Sequence, residues 1–422
     1  MHESIEEHIG QSLFNFQAAL KQSGSSLGEF IRSHYLDKWR GDQIYHALAI
    51  RTTFVNALQL HLGREGLFNM ERVSLSPVTD PLAHDVEHTP SIRYKGHTYL
   101  TTHSMIYSKM LALINPRLKG IFVDSPNIRL ELESPTRIQR GKYLIDFSQM
   151  DIEVRRPRGI DLDTYLGKTD KVREMLREDH EEALAFFERL IVAATAAVVE
   201  TNDEDLKALG VALEVPETPF PRFRKDEAVA RYGTSAIESP LGRTVSSQFF
   251  WVTGLMRENY DLIYPYLKAN GRGADSKDGP YDKPPLADFT SDMVYNYDLV
   301  AQSRRRSDGA MGPALEVLSG GLREWLYEAI VERLIDNGVL DERPRVVGDN
   351  IENIHELGGY GPFLLAAYQK DEQGRSLFPE TYGGGLGVER CLFALCRGEA
   401  VRQVDQVTLF GKNPDSYPLY LF

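Results

Sequence analysis

Residues 144–154, Leu-Ile-Asp-Phe-Ser-Gln-Met-Asp-Ile-Glu-Val, alternate in a way that gathers chemistry on one side. Successive side chains of a strand point to opposite faces. Phe147, Gln149, Asp151 and Glu153 therefore share a face, while Ile145, Met150, Ile152 and Val154 fall mostly on the other. One face suits a core; the other offers a ring, an amide and two carboxylates. A second stretch, Gly383-Gly384-Gly385-Leu386-Gly387, abuts an apolar helical pattern, as expected where backbone must lie close to a ligand or to another strand. His103 lies beside Ser104 and has two readings, an acid or base, since imidazole in general titrates near neutral pH, or a strand-end imidazole bonded to backbone. Cys391 and Cys396 lie in the apolar string CLFALC and read as buried helix thiols rather than as a disulfide or a zinc site.

These residues need a framework. Residues 1–44 read as an N-terminal helical extension, with two helix-like stretches around a turn at 22–26. Residues 45–422 read as the main domain. From Ile44, apolar residues recur at helical intervals up to a glycine at 66. Short β-branched and aromatic segments between 67 and 154 predict strands, and a long helix is expected over 169–200. The Gly-, Pro- and Asp-rich stretch 270–288 reads as a mobile loop. The final third alternates strand and helix again.

Composition narrows the function classes. With 42 % hydrophobic and 26 % charged residues the chain can bury a sizeable core. A formal net charge of −13 supplies no global field to attract nucleic acid, although a local basic groove is compatible with it. The N-terminus lacks a basic flank before an apolar core, and Leu190–Val199 is too short to span a bilayer. The reading is a cytoplasmic protein with no membrane partner.

Three separated stretches resemble the signature motifs of class II aminoacyl-tRNA synthetases, in order. Ser76-Pro77-Val78-Thr79-Asp80-Pro81 resembles motif 1, which in that family packs at a dimer interface; alone it would be a proline turn. Ser125–Glu131 with Lys142–Glu153 resembles motif 2 of the aspartyl/asparaginyl subgroup, Gly383–Arg390 resembles motif 3, and Leu315–Glu324 resembles the strand before it. Within this subgroup the chain is most similar to archaeal-type asparagine synthetase, which lacks an anticodon-binding domain. The resemblance covers roughly residues 44–422 and implies an α+β fold, a mostly antiparallel sheet flanked by helices, and a homodimer.

It also implies roles. Attack of a carboxylate on the α-phosphate of ATP joins two anions, so fixed positive charge is required, and arginine's planar fork suits it. By resemblance Arg129 holds the α-phosphate and the reacting carboxylate, and Arg390 the γ-phosphate. Phe147 stacks on adenine, where the plain alternative is core packing, and Glu131 contacts the adenine amino group. Glu316, with Ser319, holds Mg²⁺, where the alternative is an exposed strand glutamate. Arg323 reads the side chain of an aspartate-like amino acid; Ser104, Gln149 and Asp151 surround its amino group and backbone.

Some positions depart from the pattern. Met105 and Ser108 stand where the subgroup has other residues, and Lys109 is expected one position late, facing away. Lys142-Tyr143 replaces a histidine near the γ-phosphate, and Thr381-Tyr382 replaces a His-Gly pair. The expected activity is an AMP-forming ligase that passes the activated side-chain carboxylate to ammonia or a small amine. The alternatives are transfer to a carrier protein or tRNA, and a non-catalytic regulatory paralogue that binds ATP or an amino acid. Residues 1–44 are too few for the barrel that precedes motif 1 in such tRNA synthetases, which makes tRNA the less expected acceptor.

Overall fold

A computed structural model describes residues 2–76, 90–130, 141–157, 159–160, 164–165, 169–256, 260–269, 281–283, 288–398 and 400–412. The Pro77–Pro81 part of the motif 1 stretch, Glu131 and most of 270–288 lie outside them.

The centre is an eight-stranded sheet. In chain order its strands are β1 (Phe68–Asn69), β2 (Gly120–Ile128), β3 (Asp146–Arg155), β4 (Arg222–Arg224), β5 (Phe249–Thr253), β6 (Asn296–Ala301), β7 (Leu315–Leu322) and β8 (Thr381–Gly387). They lie side by side as β1-β2-β3-β8-β7-β6-β5-β4. The two edge pairings are parallel and the five between them antiparallel, so the α+β reading holds.

Register decides which residues meet. Met150, Leu386, Leu318 and Leu299 stand in one row across four strands, and Ile152, Gly384, Gly320 and Tyr297 in the next. This face is dry. Against it lies a long helix, α3 (Thr169–Thr201), whose Leu176, Ala183, Phe187, Leu190, Ala194 and Val198 recur every three to seven residues and are fully buried. Phe187 packs on Tyr297 with ring centroids 5.6 Å apart. Gly320 and Gly384 make this packing possible, since a Cβ at 320 would lie 2.5 Å from the Tyr297 ring and one at 384 would lie 3.2 Å from Phe187.

Helix α1 (Asp42–Arg64) packs on α3, and α4 (Val388–Cys396) runs directly out of β8. In α4, Cys391 and Cys396 are fully buried free thiols whose pKa values burial pushes up. The N-terminal region folds as a helix over His2–Gln22 and a second from Leu27, capped by Ser26 and Glu29. It has its own small cluster of Phe16, Phe30 and Tyr35, and Trp39 ties it to the chain end by donating to the Leu409 carbonyl at 2.9 Å. Among the described residues no helix is long and apolar enough to cross a membrane.

Candidate active site on the polar sheet face

The opposite face carries the chemistry. Across β3, β8 and β7, Glu153 faces Gly383, which faces Gly321; Asp151 faces Gly385, which faces Ser319; and Gln149 faces Gly387. The glycines leave room for long polar side chains to lie over their neighbours. A Cβ at 383 would overlap the Glu153 carboxylate, one at 385 would lie 2.5 Å from Gln149 Cδ, and one at 321 would lie 2.9 Å from Asp261 Oδ1. The glycine run is thus needed for the side chains that cross it.

Into this space α2 (Ile106–Ala112) delivers Lys109. The expectation that Lys109 faces away is corrected: its Nζ lies 2.9 Å from Asp151 and 3.6 Å from Glu153, and the side chain is fully buried. The residue sits on a helix, where spacing along a strand does not apply, and the helix turns it towards the sheet. Arg323 follows β7 and is 1 % exposed. Its Nε donates to Glu153 at 3.2 Å and its Nη1 to Asp261 at 3.0 Å. Burial is the largest influence on Arg323 and opposes its charge, but Glu153 and then Asp261 outweigh it and hold its pKa above the ordinary value. Thr381 Oγ1 donates to Glu153 at 2.7 Å, and Asn296 Nδ2 to Asp261 at 2.9 Å. Each charge is paired, as deep burial demands. Glu153, Asp261, Asn296 and Lys109 were not singled out as ligands; the pairings that gather them span up to 228 residues of sequence.

At the β2–β3 end, Arg129 stacks its guanidinium 5.2 Å from the centre of the Phe147 ring and donates from Nε and Nη2 to the His103 carbonyl at 3.1 and 2.9 Å. The Phe147 ring is half-buried on the polar face, with one side packed against the core. Ser104 is half-buried just before α2, and His103 is 2 % exposed.

A third group gathers where β7 and α4 begin. Arg390 Nη1 lies 3.6 Å from Glu316 Oε1, and the guanidinium covers the Tyr143 ring at 5.0 Å. Lys142 lies beside them. Burial, with repulsion from Arg390, pulls its pKa down to about 8. A bulge between the β6 and β7 registers puts Glu316 opposite Val300 and Ser319 opposite Asp298, which turns Glu316, Ser319 and Asp298 to one face. Asp298, a buried carboxylate, was missed because its role depends on that register. The oxygen-only set of two carboxylates and a hydroxyl suits a hard cation such as Mg²⁺. Among the described residues no three His, Cys, Asp or Glu side chains form a closed metal site, and a cation held here would complete its shell with phosphate and water oxygens. A separate cleft of about 950 Å³, lined by acids of α3 together with Lys119, Arg155, Arg177 and Arg222, includes none of these residues.

Over 230 residues the chain is 28 % identical to the aspartate–tRNA(Asp) ligase of Thermococcus kodakarensis, covering 54 % of this chain and 43 % of that protein. Over 367 residues it is 26 % identical to the aspartate–tRNA(Asp) ligase of Pyrococcus furiosus, covering 86 % of this chain and 68 % of the relative. The chain is thus similar in sequence to aspartyl-tRNA synthetases. No family model matches it. Its fold is similar to the crystal structure of asparaginyl-tRNA synthetase from Pyrococcus horikoshii complexed with asparaginyl-adenylate, with a TM-score of 0.56 at 16 % identity, over 89 % of this chain and 70 % of that one. The match to the Thermococcus protein thus spans less than half of that relative's length.

Proposed function

We propose that this protein is an ATP-dependent, AMP-forming ligase that activates an amino acid of the aspartate–asparagine class and passes the acyl group to tRNA. One observation carries the adenylating half: Arg129 over Phe147, the paired carboxylates of β3, and Arg390 beside Glu316 all lie on one sheet face, bared by glycines. Adenine stacks on Phe147 and Glu131 holds its amino group. Arg129 exchanges the His103 carbonyl for the α-phosphate and the reacting carboxylate, while Arg390 and Lys142 hold the outer phosphates. The carboxylate oxygen attacks the α-phosphorus, pyrophosphate leaves, and the fixed guanidinium charges stabilise the charge that builds up. Glu316, Ser319 and Asp298 hold Mg²⁺, which when bound neutralises phosphate charge. Asp151, Gln149 and Ser104 take the substrate amino group and backbone, and Arg323 backs the side-chain pocket.

The acceptor differs from the one the sequence favours. Ammonia or a small amine is the expectation from resemblance to asparagine synthetase, but the curated relatives are tRNA ligases, and this supports the transfer alternative. Two-fold dimerisation through the motif 1 region belongs to the same reading. The test is amino-acid-dependent exchange of labelled pyrophosphate into ATP, followed by product analysis with tRNA, a carrier protein and ammonia. Exchange together with acylated tRNA is expected. Exchange followed by amide formation alone would overturn the acceptor, and no exchange with any amino acid would overturn the ligase.

A further inference from the structure

One element beside the site takes no part in adenylation. Strands Ser91–Tyr94 and His97–Thr101 pair antiparallel as a ribbon that turns at Lys95-Gly96. Both turn residues have positive φ, 49° and 82°, as a two-residue hairpin turn needs. Among the described residues Lys95 is the only one other than glycine in that region, where asparagine, aspartate or glycine would fit more easily. The second strand runs straight into the site: the Thr102 carbonyl accepts from the Ile128 N–H at 3.0 Å, and the His103 carbonyl accepts from Arg129. Away from that anchor the ribbon enters solvent, with Thr101 buried, Tyr99 and Leu100 half-buried, and residues 91–98 exposed. At about 3.3 Å per residue, roughly 20–25 Å of strand separates His103 from the tip.

Register sorts the side chains. Ile92 stands opposite Tyr99 and Tyr94 opposite His97, so these four share a face, and Leu75, opposite Thr101, joins them. Leu75, Ile92 and Tyr94 are 42, 48 and 60 % exposed, an apolar and aromatic row open to a partner. Arg93 projects from the other face beside Thr98, while the Lys95 ammonium reaches back over the Tyr94 ring at 5.3 Å.

Charge identifies the partner. Neither Arg93 nor Lys95 has an ion pair among the described residues, and residues 88–123 contain no Asp or Glu in a chain that has 61 of them. A chain of net charge −13 thus presents a locally basic surface, studded with rings, at the edge of its site. Cations that neutralise phosphates beside rings that stack on unpaired bases are what single-stranded nucleic acid requires. A two-fold contact between two such ribbons would instead set like charges against each other.

We propose that this ribbon receives the unpaired 3′ end of the tRNA acceptor and leads it to the activated carbonyl, with Tyr94 stacking on a base and Lys95 and Arg93 on phosphates. The proposal rests on the tRNA reading of the acceptor. Tyr99, nearer the site on the same face, continues the row towards His103.

The test is binding of unfractionated tRNA, intact and with its unpaired 3′ nucleotides trimmed, followed by fluorescence anisotropy on the full chain, with pyrophosphate exchange and sedimentation alongside. Trimming should weaken binding to the wild type by about tenfold, and Y94A should weaken binding of intact tRNA by about as much while leaving trimmed tRNA and exchange unchanged. Y94W, which keeps a stacking ring, should bind like the wild type. R93Q/K95Q should weaken binding and flatten the slope of log affinity against log salt by about 1.4, for two phosphates on a single strand. Intact tRNA bound equally by the wild type, Y94A and R93Q/K95Q overturns the proposal and leaves the acceptor reading standing. A wild type that exchanges pyrophosphate but neither binds nor acylates tRNA overturns the acceptor reading and the proposal with it. A dimer that dissociates in Y94A would make the ribbon a contact between copies of this chain and also overturn the proposal.

Discussion

The glycines of β8 offer a graded test of how the site is built. A methyl at 383 would overlap the Glu153 carboxylate, with its Cδ at 2.6 Å, and the Ile152 carbonyl oxygen, which is backbone and cannot rotate away. Either β3 shifts or Glu153 leaves Thr381, Arg323 and Lys109, its partners at 2.7, 3.2 and 3.6 Å. Breaking such a buried ionic cluster costs roughly 3–5 kcal/mol, so G383A should lose about 4 kcal/mol of stability and its exchange activity. At 385 the neighbour is the Gln149 side chain, with Cδ at 2.5 Å and Cγ at 3.0 Å, which can turn. G385A should therefore cost about 1 kcal/mol, in the range of an off-rotamer side chain, while raising KM for the amino acid. At 387 the nearest atom is Arg390 Cβ at 3.5 Å, an ordinary contact, so G387A should stay within about 0.5 kcal/mol. Urea unfolding and pyrophosphate exchange on the three variants give the comparison. If G383A were as stable and as active as G387A, the pairing of Glu153 over Gly383 would be wrong.

Three further outcomes are expected. R129A should abolish exchange while the fold persists, because Arg129 is only half-buried at the end of β2, outside the hydrophobic core; exchange within about tenfold of wild type would remove Arg129 from the reaction. Lys142, held near 8, is an ammonium below that pH and neutral above it, so kcat/KM for ATP should fall as pH rises through about 8, and K142R, whose charge is permanent, should remove that limb. Glu324 and Glu380 are buried acids raised from 4.5 to about 7. The folded state then binds more protons than the unfolded one between these values, so stability is full below about pH 4.5 and falls as pH rises through about 7, by roughly 3 kcal/mol for each group. E324Q and E380Q should each flatten that slope in denaturation measured across pH, and an unchanged slope in both would contradict the buried-acid account.

Much of the site is legible in local pattern, and the rest depends on register. Two-residue alternation alone sets Phe147, Gln149, Asp151 and Glu153 on one face, and the structure keeps the last three opposite the glycines. The long helix expected at 169–200 is present over Thr169–Thr201, because its apolar spacing is unbroken. Lys109 is harder to read: it lies on a short helix of seven residues, and helical rather than strand geometry aims it. Asp261 and Asn296 carry no local signal, since an acid and an amide acquire meaning only when two segments 35 residues apart meet beside Arg323. Asp298 is hidden by the β-bulge that brings Glu316 and Ser319 onto its face. Local periodicity thus reports which way a side chain points, and tertiary pairing reports what it meets.

The central claim is that a carboxylate oxygen of the amino acid attacks the α-phosphorus of ATP on this face. An amino acid carrying heavy oxygen in its α-carboxylate tests this in a single turnover with acceptor, with the AMP and pyrophosphate analysed by mass spectrometry. The account predicts that one labelled oxygen appears in AMP and none in pyrophosphate. Label appearing in inorganic phosphate alongside ADP, or AMP free of label when the substrate is consumed, would contradict it.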